Sequence, residues 1–177
     1  EATGQSAIFL YPDGERTVLA HRGAADSLAL KEMPFSKLQA KWVYIAPSHI
    51  DARVIGAIID HCYAQGILVA FNPSAAYCAD NGKFIKPLLS KIKVLLTNRE
   101  EAAMITGGAF ADLDELVDGI CVMTDGPRGV HVSDGNRIYT AGIFPDTNLV
   151  SRTGAGDAFG SGFVAGLIRT EDIAYAM

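Results

Sequence analysis

Basic residues never cluster in this sequence: 15 Lys and Arg are scattered among 20 Asp and Glu, leaving a net charge of −5. Without a basic stripe or helix face there is no electrostatic footprint for a phosphate backbone, so nucleic acid is not expected as a partner. Apolar runs of the ~20 residues that a membrane helix needs are missing too. The opening EATGQSAIFLYPDGER has neither the basic start nor the apolar stretch of a secretion signal. The chain is therefore expected to be cytoplasmic, with no membrane partner. Cysteine is scarce. Cys62, Cys78 and Cys121 are odd in number, match no zinc spacing and sit among apolar neighbours, which predicts reduced, structural thiols. The histidines, His21, His49, His61 and His131, share no spacing that would make them ligands. No Gly-Lys-Ser/Thr triplet occurs, which removes a P-loop.

What is present is apolar and periodic. A chain of 177 residues with 49% hydrophobic residues and a mean hydropathy of +0.20 can bury one sizeable core. SAIFLY and RTVLAH flank Pro-Asp-Gly-Glu, the signature of a β-hairpin. From Lys41 the pattern becomes strand and helix in alternation. KWVYIAP, GILVAFNPS, KVLLTN and ICVMTDG are short apolar runs; DARVIGAIIDHCYAQ, REEAAMITG closed by Gly107, and LDELVDG have helical spacing. KFIKPLLSKI reads as a short helix interrupted by Pro87, and GVHVSDG with RIYTAG as a second hairpin. Apolar strands separated by helices predict a doubly wound α/β fold with a mostly parallel sheet. Residues 1–30 would form an appended β segment and residues 31–177 the α/β core.

In such sheets ligands bind beyond the carboxyl ends of the strands. That rim collects APSH, NPS with Asn72, TNREE and TDGPRG. SRTGAGDAFGSGF joins them at the start of the last long helix. Gly154 and Gly156 let the backbone turn tightly and leave N–H groups uncovered at a helix N-terminus, which makes an anion hole. Asp157 falls in the first turn. A carboxylate beside a phosphate nest is poorly placed for binding alone, because like charges repel. It is well placed to take a proton from a hydroxyl attacking phosphorus. The competing reading makes Asp157 a complement to the helix dipole and the glycines an aid to packing. A Rossmann fingerprint would need glycine where Phe159 stands.

SRTGAGDAFGSGF resembles the C-terminal signature of the ribokinase-like, or PfkB, carbohydrate kinases, usually Asp-Thr-Thr-Gly-Ala-Gly-Asp. TNREE is similar to the family's Asn-x-x-Glu, TDGPRG to its Thr-x-Gly-x-x-Gly, and residues 3–28 to its strand-built lid. The resemblance implies a ribokinase-like fold and ATP-dependent, Mg2+-requiring transfer of the γ-phosphoryl group to a sugar or nucleoside hydroxyl. Asp157 would be the catalytic base, and Gly154, Ala155 and Gly156 the anion hole. Asn98 and Glu101 would organise Mg2+ and the nucleotide phosphates through water, and Thr124, Gly126 and Gly129 would line the nucleotide site. Asn98 and Glu101 also have the spacing of a helix capping box, and the two roles are compatible.

Some positions depart from the pattern. Ser151 and Arg152 replace the motif's Asp and Thr, which leaves any monovalent-cation site open, and Ala25 stands where an Asn is common. The family's upstream Gly-Gly segment and its late adenine-site helices have no counterpart, so the chain is expected to be part of a longer kinase. An uncovered sheet edge and apolar faces would then favour a homo-oligomer. The alternative is a non-catalytic nucleotide-binding module that keeps only the phosphate nest.

Overall fold

The computed structural model describes residues 2–11, 16–108, 110–144, 151 and 153–177. The strands β1 (Gln5–Leu10) and β2 (Arg16–His21) form an antiparallel pair running from Gln5 opposite His21 to Leu10 opposite Arg16. The expected Pro12–Glu15 turn and Arg152 lie outside the described residues. Three short 3-10 turns, unanticipated by the apolar pattern, then lead to the main sheet. Arg22 at the end of β2 hydrogen-bonds Ser48 Oγ and lies 3.7 Å from Asp26, which ties the two-stranded piece to the rim of that sheet.

The main sheet has six strands in sequence order: β3 (Trp42–Ile45), β4 (Leu68–Phe71), β5 (Val94–Asn98), β6 (Ile120–Thr124), β7 (Val130–Ser133) and β8 (Ile138–Ala141). The first four are parallel and the last two return antiparallel as the expected second hairpin. Alternate residues face two cores. Ile45, Val69, Phe71, Leu95, Cys121 and Met123 point to one face and meet α1 (Ala52–Ala64), α2 (Ala75–Gly82), α3 (Arg99–Thr106) and α4 (Phe110–Asp114). Ala70, Val94, Leu96, Ile120, Val122, Val130 and Val132 point to the other and meet α5 (Ala155–Thr170) and α6 (Ile173–Ala176) through Phe163, Val164, Leu167 and Ile173. Helices therefore cover both faces. Because the parallel strands follow one another in order, their crossovers all return on the first face, and α5 closes the second.

Several local expectations are refined. Asp51 caps α1 by accepting from Arg53 N–H at 2.8 Å. The Lys86–Lys91 piece is a 3-10 turn with Pro87 in its first positions, where a missing N–H costs nothing. The helix expected at LDELVDG starts earlier, at Phe110, and its end tightens through i→i+3 bonds at Leu116 and Val117. That tightening buries Val117 and brings Gly119 against the Lys93 carbonyl, where no Cβ fits. Helix α2 follows an Asn-Pro-Ser stretch that reads as loop; Tyr77 and Cys78 bury its inner face. All three cysteines are free and buried, and burial pushes the Cys78 thiol up to about 12. No helix among the described residues is long and apolar enough to cross a membrane.

Candidate active site

The carboxyl ends of β4, β5 and β6 deliver Asn72, Asn98 and Thr124 side by side. Helix α5 starts above them. Gly154, its N-cap, has φ 81°, a left-handed value that only glycine adopts without strain. The first helical bond runs from Ala158 N–H to the Gly154 carbonyl at 2.8 Å. The N–H groups of Ala155, Gly156 and Asp157 therefore precede the helical ladder, and no helical carbonyl reaches them.

A cavity of about 180 Å³ lies between these parts, lined by Asn72, Leu96, Thr97, Asn98, Glu101, Thr124, Gly156, Asp157 and Phe159. It thus brings together six of the residues singled out in the sequence: Asn72, Asn98, Glu101, Thr124, Gly156 and Asp157. A second cavity of about 490 Å³ adjoins it and shares Thr124, Gly156 and Phe159. Gly126, Gly129 and Ala155 line this second space with the apolar Val130, Ala141, Ile143 and Phe144. Gly154 lines neither cavity; its part is the backbone turn. The APSH segment after β3 stays outside both.

Asn98 and Glu101 form the capping box expected from their spacing. Asn98 Oδ1 accepts from Glu101 N–H at 2.8 Å and Glu101 Oε2 accepts from Asn98 N–H at 2.9 Å. Burial raises the Glu101 pKa, while the bond from Asn98 N–H opposes that shift. Both side chains line the cavity; Glu101 keeps its second carboxylate oxygen, and the one Asn98 oxygen keeps its second lone pair. Hard oxygen donors of this kind suit Mg2+, which takes one or two protein oxygens and fills its shell with phosphate and water. No group of three or more His, Cys, Asp or Glu converges among the described residues, so a metal here would depend on the phosphates of its nucleotide. Ser151 offers a neutral hydroxyl tied to Thr153, accepting from its N–H at 3.1 Å and lying 3.0 Å from its Oγ1.

The loop after β6 is rigid by construction. Asp125 is buried and holds both Arg99, at the start of α3, and Arg128. Arg99 Nε donates to Oδ1 at 2.7 Å, and Arg128 Nε donates to Oδ2 at 2.8 Å. The hydrogen bonds from Arg99 first, then those from Arg128, hold the Asp125 carboxyl well below the usual carboxylate range. Gly129, at φ 91°, backs onto the Ala141 carbonyl, where a Cβ would collide.

Sequence reasoning missed Phe159, which lines both cavities and stacks on Phe163 at 5.8 Å, and Tyr44, whose hydroxyl meets Asn72. Of the later glycines of α5, Gly160 abuts Tyr44 and Leu96 and Gly166 abuts Ala176, whereas a Cβ at Gly162 would meet nothing within 4 Å.

Known proteins share this fold. A nucleoside kinase from Burkholderia thailandensis, solved in complex with inosine, superimposes with a TM-score of 0.83 over 98% of this chain and 58% of its own, at 18% identity. A cytidine kinase from Thermococcus kodakarensis is 29% identical over 171 residues, 92% of this chain and 60% of that protein. A ribokinase from Staphylococcus aureus is 24% identical over 183 residues, 96% of this chain and 58% of that protein. The chain thus spans about three fifths of the length of the curated relatives it matches. The family model described as "pfkB family carbohydrate kinase" matches residues 1–177. With the order of its motifs, its fold and this match in agreement, the chain belongs to the pfkB family of carbohydrate kinases.

Proposed function

We propose that the protein to which this chain belongs is an ATP-dependent phosphotransferase that moves the γ-phosphoryl group to a hydroxyl of a sugar or nucleoside, in the cytoplasm. One observation carries the reading: the carboxylate of Asp157, the N–H groups at the start of α5 that no helical carbonyl takes, and the Asn98–Glu101 pair lie around one small cavity that adjoins a larger, apolar one. The larger cavity is of a size to take a nucleoside. Its shared wall at Thr124 and Gly156 would direct the triphosphate toward the smaller.

The chemistry follows from that placement. Asp157 takes the proton of the acceptor hydroxyl as its oxygen bonds to the γ-phosphorus. The bond from phosphorus to the bridging oxygen breaks, and ADP leaves with that electron pair. The N–H groups of Ala155, Gly156 and Asp157 donate to the phosphoryl oxygens, where charge is spread in the transition state. Asn98 and Glu101 would hold hydrated Mg2+, which supplies neutralisation of phosphate charge. Ser151 is given no role in this step; its hydroxyl is tied to Thr153. Residues 1–30 would serve as a lid over the acceptor, next to a core of residues 31–177. In a non-catalytic module Asp157 would serve only as a complement to the helix dipole.

The test is ADP release by the full-length protein across a panel of sugars and nucleosides. Asp157→Asn is expected to lower kcat by roughly 10²–10⁴-fold, the usual worth of a general base, while ATP still binds. Turnover that survives the substitution removes Asp157 as the base, and ATP binding without turnover on any acceptor favours the module.

A further inference from the structure

Asn72 lines the small cavity at its β4 end, away from the larger cavity, and pairs there with Tyr44. Asn72 follows β4, and its N–H is anchored on the Ile45 carbonyl at 2.9 Å. Its Nδ2 donates to the Tyr44 hydroxyl at 3.3 Å, in a half-buried setting. Tyr44 lies on β3 and reaches this point because α5 carries glycine there. A Cβ at Gly160 would stand 2.6 Å from Tyr44 Oη and 3.2 Å from Leu96 Cδ2. Gly160 is one helical turn after Asp157, so the same turn that presents the carboxylate also leaves room for the hydroxyl that orients Asn72.

The order of the strand ends says which substrate this pair faces. The larger cavity is built by β6, β7 and β8, and the smaller runs from Thr124 on β6 across Asn98 on β5 to Asn72 beyond β4. In-line transfer requires the attacking oxygen to enter opposite the leaving nucleotide. The entering side is therefore the β4 side.

We propose that Asn72 binds a hydroxyl of the acceptor beside the one that attacks, and that Tyr44 is a positioning residue that holds the Asn72 carboxamide at the angle this requires. With Nδ2 turned toward Tyr44, Oδ1 accepts from that neighbouring hydroxyl, and an acceptor carrying a second hydroxyl next to the reactive one is preferred. The inference rests on the phosphotransferase reading above.

The experiment compares wild type, Tyr44→Phe, Asn72→Ala and Gly160→Ala in the full-length protein. Acceptor kinetics are measured on the substrate from the panel that turns over fastest, and ATP affinity by calorimetry. Tyr44→Phe, which removes one oxygen and keeps the ring, is expected to lower kcat/KM for the acceptor roughly 3- to 10-fold, the worth of one neutral hydrogen bond. Asn72→Ala should lower it further, and Tyr44→Phe should add little once Asn72 is gone. Gly160→Ala should reproduce the Tyr44→Phe defect by displacing the hydroxyl. ATP affinity should stay within twofold throughout. A wild type without turnover on any acceptor sinks the phosphotransferase reading and this inference with it. An active wild type whose Tyr44→Phe and Asn72→Ala variants keep full kcat/KM, or lose ATP affinity in parallel, overturns the inference alone.

Discussion

Gly156 and Gly129 are both glycines of the site, and they are glycine for opposite reasons. Gly129 needs a left-handed φ and has a carbonyl where a Cβ would be, so its demand comes from the fold. Gly156 has ordinary helical angles, and a Cβ built there meets nothing within 4 Å. The open space beside it is the pair of cavities it lines. Gly156→Ala should therefore leave the fold intact and even gain up to about 1 kcal/mol of helix stability. On the proposed reading it should cost ATP affinity roughly tenfold or more, about 1.4 kcal/mol, because the methyl would occupy the space proposed for phosphoryl oxygens. Thermal melts and calorimetry read the two effects separately; a variant that melts early with affinity unchanged would mean Gly156 serves packing. That Gly156 and Asp157 line one cavity was legible in the sequence because the proposed anion nest and its carboxylate are written in neighbouring letters. Tyr44 was not: its hydroxyl meets an amide 28 positions away, and in sequence it is one more aromatic in an apolar run.

Beside apolar packing, a buried charge ties elements of the site together. Asp125 stands between Thr124 and Gly126, which line the cavities, and it grips Arg99, the neighbour of Asn98. The clamp fixes the start of α3 against the loop between β6 and β7. The folded pKa of Asp125 is depressed by its two arginines, so its stabilisation is present above the unfolded carboxylate pKa and is lost as pH falls through the folded value. The urea midpoints of wild type and Asp125→Asn should thus differ most above about pH 5 and converge as the pH falls toward about 2. A gap of equal size across that range would show that the charge of Asp125 contributes nothing. Helix α3 itself was readable, since an Asn N-cap, a Glu at N3 and a closing glycine mark both ends in the local sequence. Helix α2 was not, because its eight residues follow an Asn-Pro-Ser loop signal and take their stability from Tyr77 and Cys78 in the core. The shift in α4 has the same origin: the tertiary approach of Gly119 to Lys93 decides where the helix must stop.

For the whole molecule, the open question is what covers the two-stranded sheet. A pair of strands standing alone is marginal in water, yet β1 and β2 expose apolar side chains on both faces. Opposite residues share a face: Ile8 with Val18, and Ala7 with Leu19, so that Phe9 and Tyr11 fall on the face of Leu19. That second face is the more exposed, with Phe9 at 52% and Leu19 at 60%. Strand β3 is also an edge of the main sheet among the described residues. If the first face closes over the acceptor, the second remains for another protein surface, and we expect a second copy of the chain to supply it. Sedimentation of the full-length protein should then show a dimer whose mass falls on dilution. Replacing Phe9→Glu and Leu19→Lys together should weaken that dimer roughly a hundredfold or more, because two anchors central to the patch become charges that must be desolvated. Each charge stays solvated in the monomer, so the core should melt as before. A full-length protein that sediments as a monomer at every concentration, or a double variant that dimerises undiminished, would show that the Phe9–Leu19 face serves the lid and its acceptor alone.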